Sequence, residues 1–162
     1  NMTLTKKKKQ EIIKELTNNH QTIATMESCT GGALASEITN YPGASEILKF
    51  SAVTYSNEYK IKMGVDKNII DKYSVYSPET AVSMAKAISN FANADYGIGI
   101  TGKFNAQDPH NLKGADNIIF VNIYKKSTNE NFLLTIKAQD VPRMQNKTLV
   151  IAKIITKLKE II

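Results

Sequence analysis

Short strand-like runs alternate with amphipathic segments along most of this chain, and this alternation constrains the fold more than any other feature. Runs rich in β-branched and apolar residues occupy 22–26, 47–55 and 96–101. Apolar residues at helical spacing lie between them, over about 32–39 and 78–93. Strands joined through helices build a sheet that is covered by helices. The pattern therefore predicts an α/β domain.

The last third of the chain adds a hairpin and a closing helix to this pattern. Residues 118–124 and 131–137 are two β-rich runs across a short polar connection, so we expect an antiparallel pair. Residues 142–161 form an amphipathic helix, and so do residues 3–17, where a lysine run is the solvated face. We predict one domain over residues 2–162, a three-layer α/β/α sandwich with a mixed β-sheet.

Local signals mark where several helices begin. Ser77 precedes a proline and is a typical N-cap with proline at the first helical position. Asn57 can cap a short helix through Lys60, and a second short helix fits residues 66–73. The 78–93 helix has a predicted buried stripe, which consists of Ala81, Met84, Ala85, Ile88 and Phe91.

The composition excludes some classes of protein. The chain contains no run of about 18 apolar residues, so we expect no membrane span and a cytoplasmic protein. A single cysteine, Cys29, cannot form an internal disulfide. The two histidines, His20 and His110, lack the companion ligands of a zinc site, so we expect no metal.

The net charge of +6 suggests nucleic-acid binding, but its distribution argues against it. Of the 21 basic residues only Arg143 is an arginine, the residue preferred for base edges and bidentate phosphate contacts. Binding of nucleic acid through the N-terminal lysines stays the weaker alternative.

The stretch 27-ESCTGG-32 lies between a predicted strand and a predicted helix. Two glycines allow a sharp turn and leave amide groups that can hold an anion or an oxyanion. A hydroxyl there can be a nucleophile or a simple helix cap, and the residues alone leave both interpretations open. Cys29 has no nearby histidine to activate it and is interpreted as a small buried apolar residue.

Several motifs in order resemble the CinA C-terminal domain family, also known as the nicotinamide mononucleotide deamidases. They are residues 27–32, Pro42-Gly43-Ala44-Ser45, 53-VTYSNEYKIKMGV-65, Ser77 with its helix, and Thr101-Gly102 after a strand. The resemblance implies hydrolysis of the nucleotide carboxamide to nicotinate mononucleotide and ammonia, without a metal or a cofactor. It also implies a small-molecule nucleotide as the binding partner.

The resemblance implies a catalytic pair in which Ser28 is the nucleophile and Lys60 its base. A serine hydroxyl becomes nucleophilic when a neighbour removes its proton, and a lysine can do so once burial lowers its pKa. Tyr55 matches a family tyrosine that could relay the proton or fix Lys60, and Asn57 could orient the same group. The alternatives are a core aromatic residue for Tyr55 and a helix cap for Asn57.

Further residues are implied to bind the substrate. The backbone amides around Thr30 and Gly31 are candidates for the oxyanion hole. Ser45 and Thr101 match polar positions of the family pocket, although Thr101 is also an ordinary strand residue. Arg143 falls where the family has an arginine, and its planar fork suits a nucleotide phosphate. The alternative is that Arg143 stands at a helix start by chance and has no binding role. A homo-oligomer is the common default for such enzymes.

The chain departs from the family after Thr101-Gly102. The family continues with a glycine-rich loop, whereas this chain has 103-KFNAQDPHNLKGADN-117. Three outcomes stay open: an enzyme with a different lid, an enzyme for another amide, or a catalytically silent nucleotide-binding domain related to competence and damage-inducible proteins.

Overall fold

The computed structural model describes residues 2–104 and 116–162 of the chain, so most of the predicted polar loop after Gly102 lies outside the described residues. Twelve elements follow one another within those ranges. The helices are α1 (Met2–Asn18), α2 (Ala33–Ile38), α3 (Ala44–Ile47), α4 (Asn57–Lys62), α5 (Lys67–Tyr73), α6 (Pro78–Ala92) and α7 (Arg143–Ile161). The strands are β1 (Ile23–Glu27), β2 (Leu48–Val53), β3 (Tyr96–Gly102), β4 (Ile118–Lys125) and β5 (Glu130–Lys137).

The five strands form one mixed sheet in the order β2-β1-β3-β4-β5. Strand β1 lies parallel to both β2 and β3, whereas β4 and β5 continue the sheet as antiparallel neighbours. The predicted hairpin is therefore confirmed. Because β1, β2 and β3 run in one direction, their carboxyl ends lie at the same edge of the sheet.

Helices cover both faces of the sheet, which confirms the predicted three-layer architecture. On one face, α1, α2, α3 and α7 pack against the alternate residues Ile98, Ile100 and Val121 of the strands. On the other face, α5 and α6 pack against Ala24 and Met26 of β1. Each face buries its own apolar cluster, and burial of these clusters is the main favourable term for the fold.

Helix α6 lies unusually close to β3. A Cβ at Gly97 would meet the carbonyl oxygen of Ala85 at 2.0 Å, and one at Gly99 would meet that of Ala81 at 2.5 Å. Only glycine fits such an approach of two backbones. The predicted stripe of α6 is buried except at Phe91, which is 62% exposed. That prediction was wrong because Phe91 packs its ring at 5.3 Å on Phe50 of β2, the edge strand.

The local signals were right in part. Ser77 caps α6 and accepts a hydrogen bond from the Thr80 amide at 3.1 Å. The cap of α4 is Ser56, which has extended backbone angles and accepts from the Tyr59 amide, so the prediction of Asn57 as the cap was wrong by one residue. Among the described helices, none is long and apolar enough to cross a membrane.

Candidate active site

The site lies at the carboxyl edge of the parallel strands, where the chain leaves β1 and β2 towards opposite faces of the sheet. The connection after β1 leads to α2 on one face, and the connection after β2 leads to α4, whose Ile61 packs on the other. Such a change of side opens a crevice outside the strand ends, the usual place for ligands in open α/β sheets. Ser28 follows β1 and Lys60 follows β2, so both residues flank this crevice.

Ser28 and Lys60 are in direct contact. The Lys60 Nζ atom lies 3.0 Å from the Ser28 Oγ atom and 2.6 Å from the main-chain carbonyl oxygen of Thr54. The Lys60 side chain is 1% exposed, and Ser28 is 8% exposed. The Ser28 amide also donates to the Ile100 carbonyl of β3 at 3.0 Å. The hydroxyl and the amine are therefore held together away from bulk water.

A buried carboxylate orders residues 28–32, which we call the Ser28 turn. Glu27 accepts hydrogen bonds from the Thr30 hydroxyl at 2.6 Å, the Leu34 amide at 3.1 Å and the Ala35 amide at 3.0 Å. The two amides belong to the first turn of α2, whose N-cap residue Gly32 has no side chain to accept from them. Glu27 therefore links the end of β1 to the start of α2.

The amides of the Ser28 turn differ in their availability. The Gly31 amide donates to the Ser28 carbonyl at 2.9 Å, which closes the turn and uses that donor. The Thr30 amide has no acceptor among the described residues. Of the two oxyanion-hole candidates, Thr30 is thus the one with an available amide, although its hydroxyl is bound to Glu27.

Cys29 is buried beside Ser28, as its interpretation as a small apolar residue requires. Burial raises the pKa of the Cys29 thiol to about 12, and the nearby positive charges of Arg143 and Lys60 offset only part of that rise. The thiol is therefore uncharged at neutral pH. Because the thiolate is the reactive form, Ser28 is the better nucleophile of the two neighbours.

Arg143, the first residue of α7, is exposed and lies over the same crevice. Its Nη2 atom is 3.3 Å from the Tyr55 hydroxyl oxygen, and its guanidinium carbon is 5.2 Å from the centre of the Phe104 ring. Tyr55 is itself 65% exposed. The core-aromatic alternative for Tyr55 is excluded, and its hydroxyl contacts Arg143.

The remaining candidates lie in different places. Thr101 is fully buried and its hydroxyl donates to the Val75 carbonyl at 2.8 Å, so its side chain ties β3 to the segment before α6. Asn57 is half-buried in the first turn of α4. Ser45 is exposed on α3, which directly precedes β2. The first residue of β2 pairs with the first residue of β1. Ser45 therefore lies at the opposite edge of the sheet from Ser28.

Potential metal ligands do not cluster in the described part of the chain. Within residues 2–104 and 116–162, no group of three or more histidine, cysteine, aspartate or glutamate side chains could hold an ion. His110 lies outside the described residues.

Two contributions to the site escaped the sequence reasoning. The buried Glu27 ends an apolar strand, and an acid in that position must find donors, so its position was a usable signal. The Thr54 carbonyl that accepts from Lys60 is a main-chain atom, and its role depends only on where α4 folds back.

Comparisons with known proteins agree on the family. A model of the CinA C-terminal domain matches residues 5–161. A relative from Alkaliphilus metalliredigens, provisionally named competence-damage inducible protein, is 47% identical over 92 residues, which are 56% of this chain and 22% of the relative. One of the same name from Clostridium kluyveri is 51% identical over 82 residues, 50% of this chain and 20% of the relative. The matched part of this chain thus spans about a fifth of the length of these relatives.

The fold is also similar to that of a solved structure. The competence or damage-inducible protein from Enterobacter asburiae superposes with a TM-score of 0.86 over 96% of either chain. The two sequences are 20% identical, so this likeness concerns the fold alone.

Proposed function

The chain belongs to the CinA C-terminal domain family, and from that premise we propose that it is an amidohydrolase which converts nicotinamide mononucleotide to nicotinate mononucleotide and ammonia without a metal. The observation that carries the proposal is the 3.0 Å contact between Lys60 Nζ and Ser28 Oγ at the carboxyl edge of the sheet. A nucleophile within hydrogen-bond reach of its base is the arrangement that covalent catalysis requires.

The chemistry proceeds in two steps. The Ser28 oxygen forms a bond to the carboxamide carbon while its proton passes to the Lys60 amine. The carbon–nitrogen bond then breaks, and Lys60 returns that proton to the leaving ammonia. Water attacks the resulting ester with Lys60 again as base, which releases the carboxylate and restores Ser28. The neutral amine is the form of Lys60 that accepts a proton.

The Ser28 turn and α7 supply the other contributions. The Thr30 amide stabilises the oxyanion, which is a major source of rate enhancement in acyl transfer. Arg143 binds the phosphate, and Tyr55 positions the guanidinium through its hydroxyl. Thr101 contributes by tying β3 to the segment before α6. Asn57, in the first turn of α4, stays the candidate to orient Lys60. A role for Ser45 within the same crevice does not fit its position at the opposite edge.

Removal of either catalytic group tests the proposal. We expect purified Ser28→Ala and Lys60→Met proteins to lose ammonia release by about a thousandfold or more. Lys62→Met, on the same helix but exposed, is the matched control and should keep its activity. Methionine keeps much of the lysine volume, so the Lys60 protein should melt near the wild type. Unchanged turnover in Ser28→Ala would show that the nucleophile is misassigned.

A nucleotide-binding domain without turnover is the second candidate, and it is favoured by one observation. The Gly31 amide is used within the turn, so one candidate oxyanion donor is lost. Thermal stabilisation by nicotinamide mononucleotide without release of ammonia would support this candidate. Ammonia release from a small panel of amides, measured with the wild-type protein, distinguishes the two and also reveals a change of substrate.

A further inference from the structure

A second cation of α7 lies against the Ser28 turn. A Cβ at Gly31 would be 3.5 Å from the Lys147 Nζ atom, so the amine is next to the turn that contains Ser28. Lys147 follows Arg143 by four residues, and side chains at that spacing lie on one face of a helix. The guanidinium of Arg143 is held over the ring of Phe104. Two positively charged residues therefore lie on one side of the crevice, with their Cα atoms about 6 Å apart along the helix axis.

These two cations are not neutralised within the described ranges. Neither Arg143 nor Lys147 forms an ion pair there with a carboxylate. The first turn of α7 has no acidic residue. By contrast, Lys103, which follows β3 at the same edge, is paired with Asp116 at 2.9 Å.

Glu27, the buried acid of the described residues, forms no ion pair with either cation. The Glu27 carboxylate already accepts three hydrogen bonds from the Ser28 turn and α2. Two neighbouring positive charges repel each other, and an anion bound between them removes that repulsion. The site thus favours a ligand with more than one negative charge.

We infer that Lys147, together with Arg143, binds the phosphate monoester of the substrate and sets the preference for a nucleotide over the corresponding nucleoside. This inference rests on the proposed function. A phosphate monoester has close to two negative charges at neutral pH and three acceptor oxygens. The planar guanidinium can bind two of these oxygens, and the lysine amine supplies a compact charge to the third.

The test compares nicotinamide mononucleotide with nicotinamide riboside, which has the same amide and lacks the phosphate. We expect Lys147→Gln to raise KM for the nucleotide about tenfold or more, the loss of one charge-assisted hydrogen bond. Hydrolysis of the riboside should not change, and Lys147→Arg should restore most of the affinity. Lys153→Gln removes the same charge from an exposed position of α7 and should behave as the wild type. Equal losses for both substrates, or no loss for the nucleotide, would overturn the inference.

A binding measurement separates this inference from the proposed function. Calorimetric titration of nicotinamide mononucleotide into Ser28→Ala and into Ser28→Ala/Lys147→Gln requires no turnover. Weaker binding by the double variant, with a difference that shrinks at high salt, supports the phosphate contact even if the wild type releases no ammonia. Equal binding by the two proteins, or no binding by either, contradicts it.

Discussion

The Ser28 turn and the first turns of α7 lie beside the same crevice but are built differently. The Ser28 turn is held by Glu27, the residue before it, whose buried carboxylate accepts a hydrogen bond from the buried Thr30 hydroxyl. At the start of α7, Arg143 is exposed, and neither it nor Lys147 has a carboxylate partner in the described part of the chain. One region is ordered by its internal bonds, and the other presents charge to solvent.

This difference reflects two physical requirements. Transfer of a proton between Ser28 and Lys60 requires fixed geometry and an amine kept out of water, and burial supplies both. Recognition of a charged ligand requires cations that the protein itself has not neutralised. Substitutions in the Ser28 turn should therefore change stability and activity together, whereas substitutions at the start of α7 should change affinity alone.

Glu27→Ala should have the largest effect. It leaves two helix amides and one hydroxyl without their buried acceptor, so we expect the free energy of unfolding to fall by about 3 kcal/mol. Ammonia release should fall as well, because the turn that positions Ser28 is no longer held. Denaturant unfolding and the ammonia assay measure the two effects.

Glu58→Ala is the matched control for the loss of one carboxylate. Glu58 forms an exposed pair with Lys62 at 3.1 Å, and such pairs contribute about 0.5 kcal/mol or less. If Glu27→Ala unfolds at the same denaturant concentration as Glu58→Ala, the buried carboxylate does not order the turn, and the contrast between the two regions fails.

Arg143→Lys should have an intermediate effect, confined to affinity. Lysine keeps the charge but loses the planar fork, so we expect KM for the nucleotide to rise about tenfold. The free energy of unfolding should stay within about 0.5 kcal/mol of the wild type because the residue is exposed. A fall in stability without a change in KM would instead assign Arg143 to the packing of α7.

Thr54→Val should have the smallest effect, and in the opposite direction. The Thr54 hydroxyl is buried and finds no hydrogen-bond partner among the described residues, whereas Lys60 is held by the Thr54 carbonyl. Replacement of an unsatisfied hydroxyl by a methyl group should raise the free energy of unfolding by about 1 kcal/mol or less. Activity should not change, and a loss of activity would place the hydroxyl in the catalytic machinery.

Most elements could be predicted because their signals are local. Runs rich in β-branched and aromatic residues located β4 and β5, helical spacing located α1 and α7, and the Ser77-Pro78 pair marked the start of α6. The four-residue α3 was missed because so short a helix has no period to detect. The burial of Phe91 was mispredicted because helical spacing identifies an apolar stripe but does not show that the last turns of α6 lie over the edge strand β2.

The site was predictable only in part. The family motif pointed to Ser28, Lys60 and Arg143, but their contacts depend on how distant segments meet. Neither the exposure of Tyr55 nor the position of Ser45 at the far edge has a signal in the neighbouring residues. Lys147 was recognisable only as a residue one turn after Arg143.

The sequence by itself determined the kinds of element, their order and the chemistry available at each strand end, because hydrophobic period, caps and turns act over a few residues. The tertiary structure decided which of these groups meet. Placing β1 between β2 and β3, with α2 and α4 on opposite faces, brings a hydroxyl and an amine 32 residues apart into contact. It also places Lys147 beside Gly31, because packing of α7 on the sheet determines that distance.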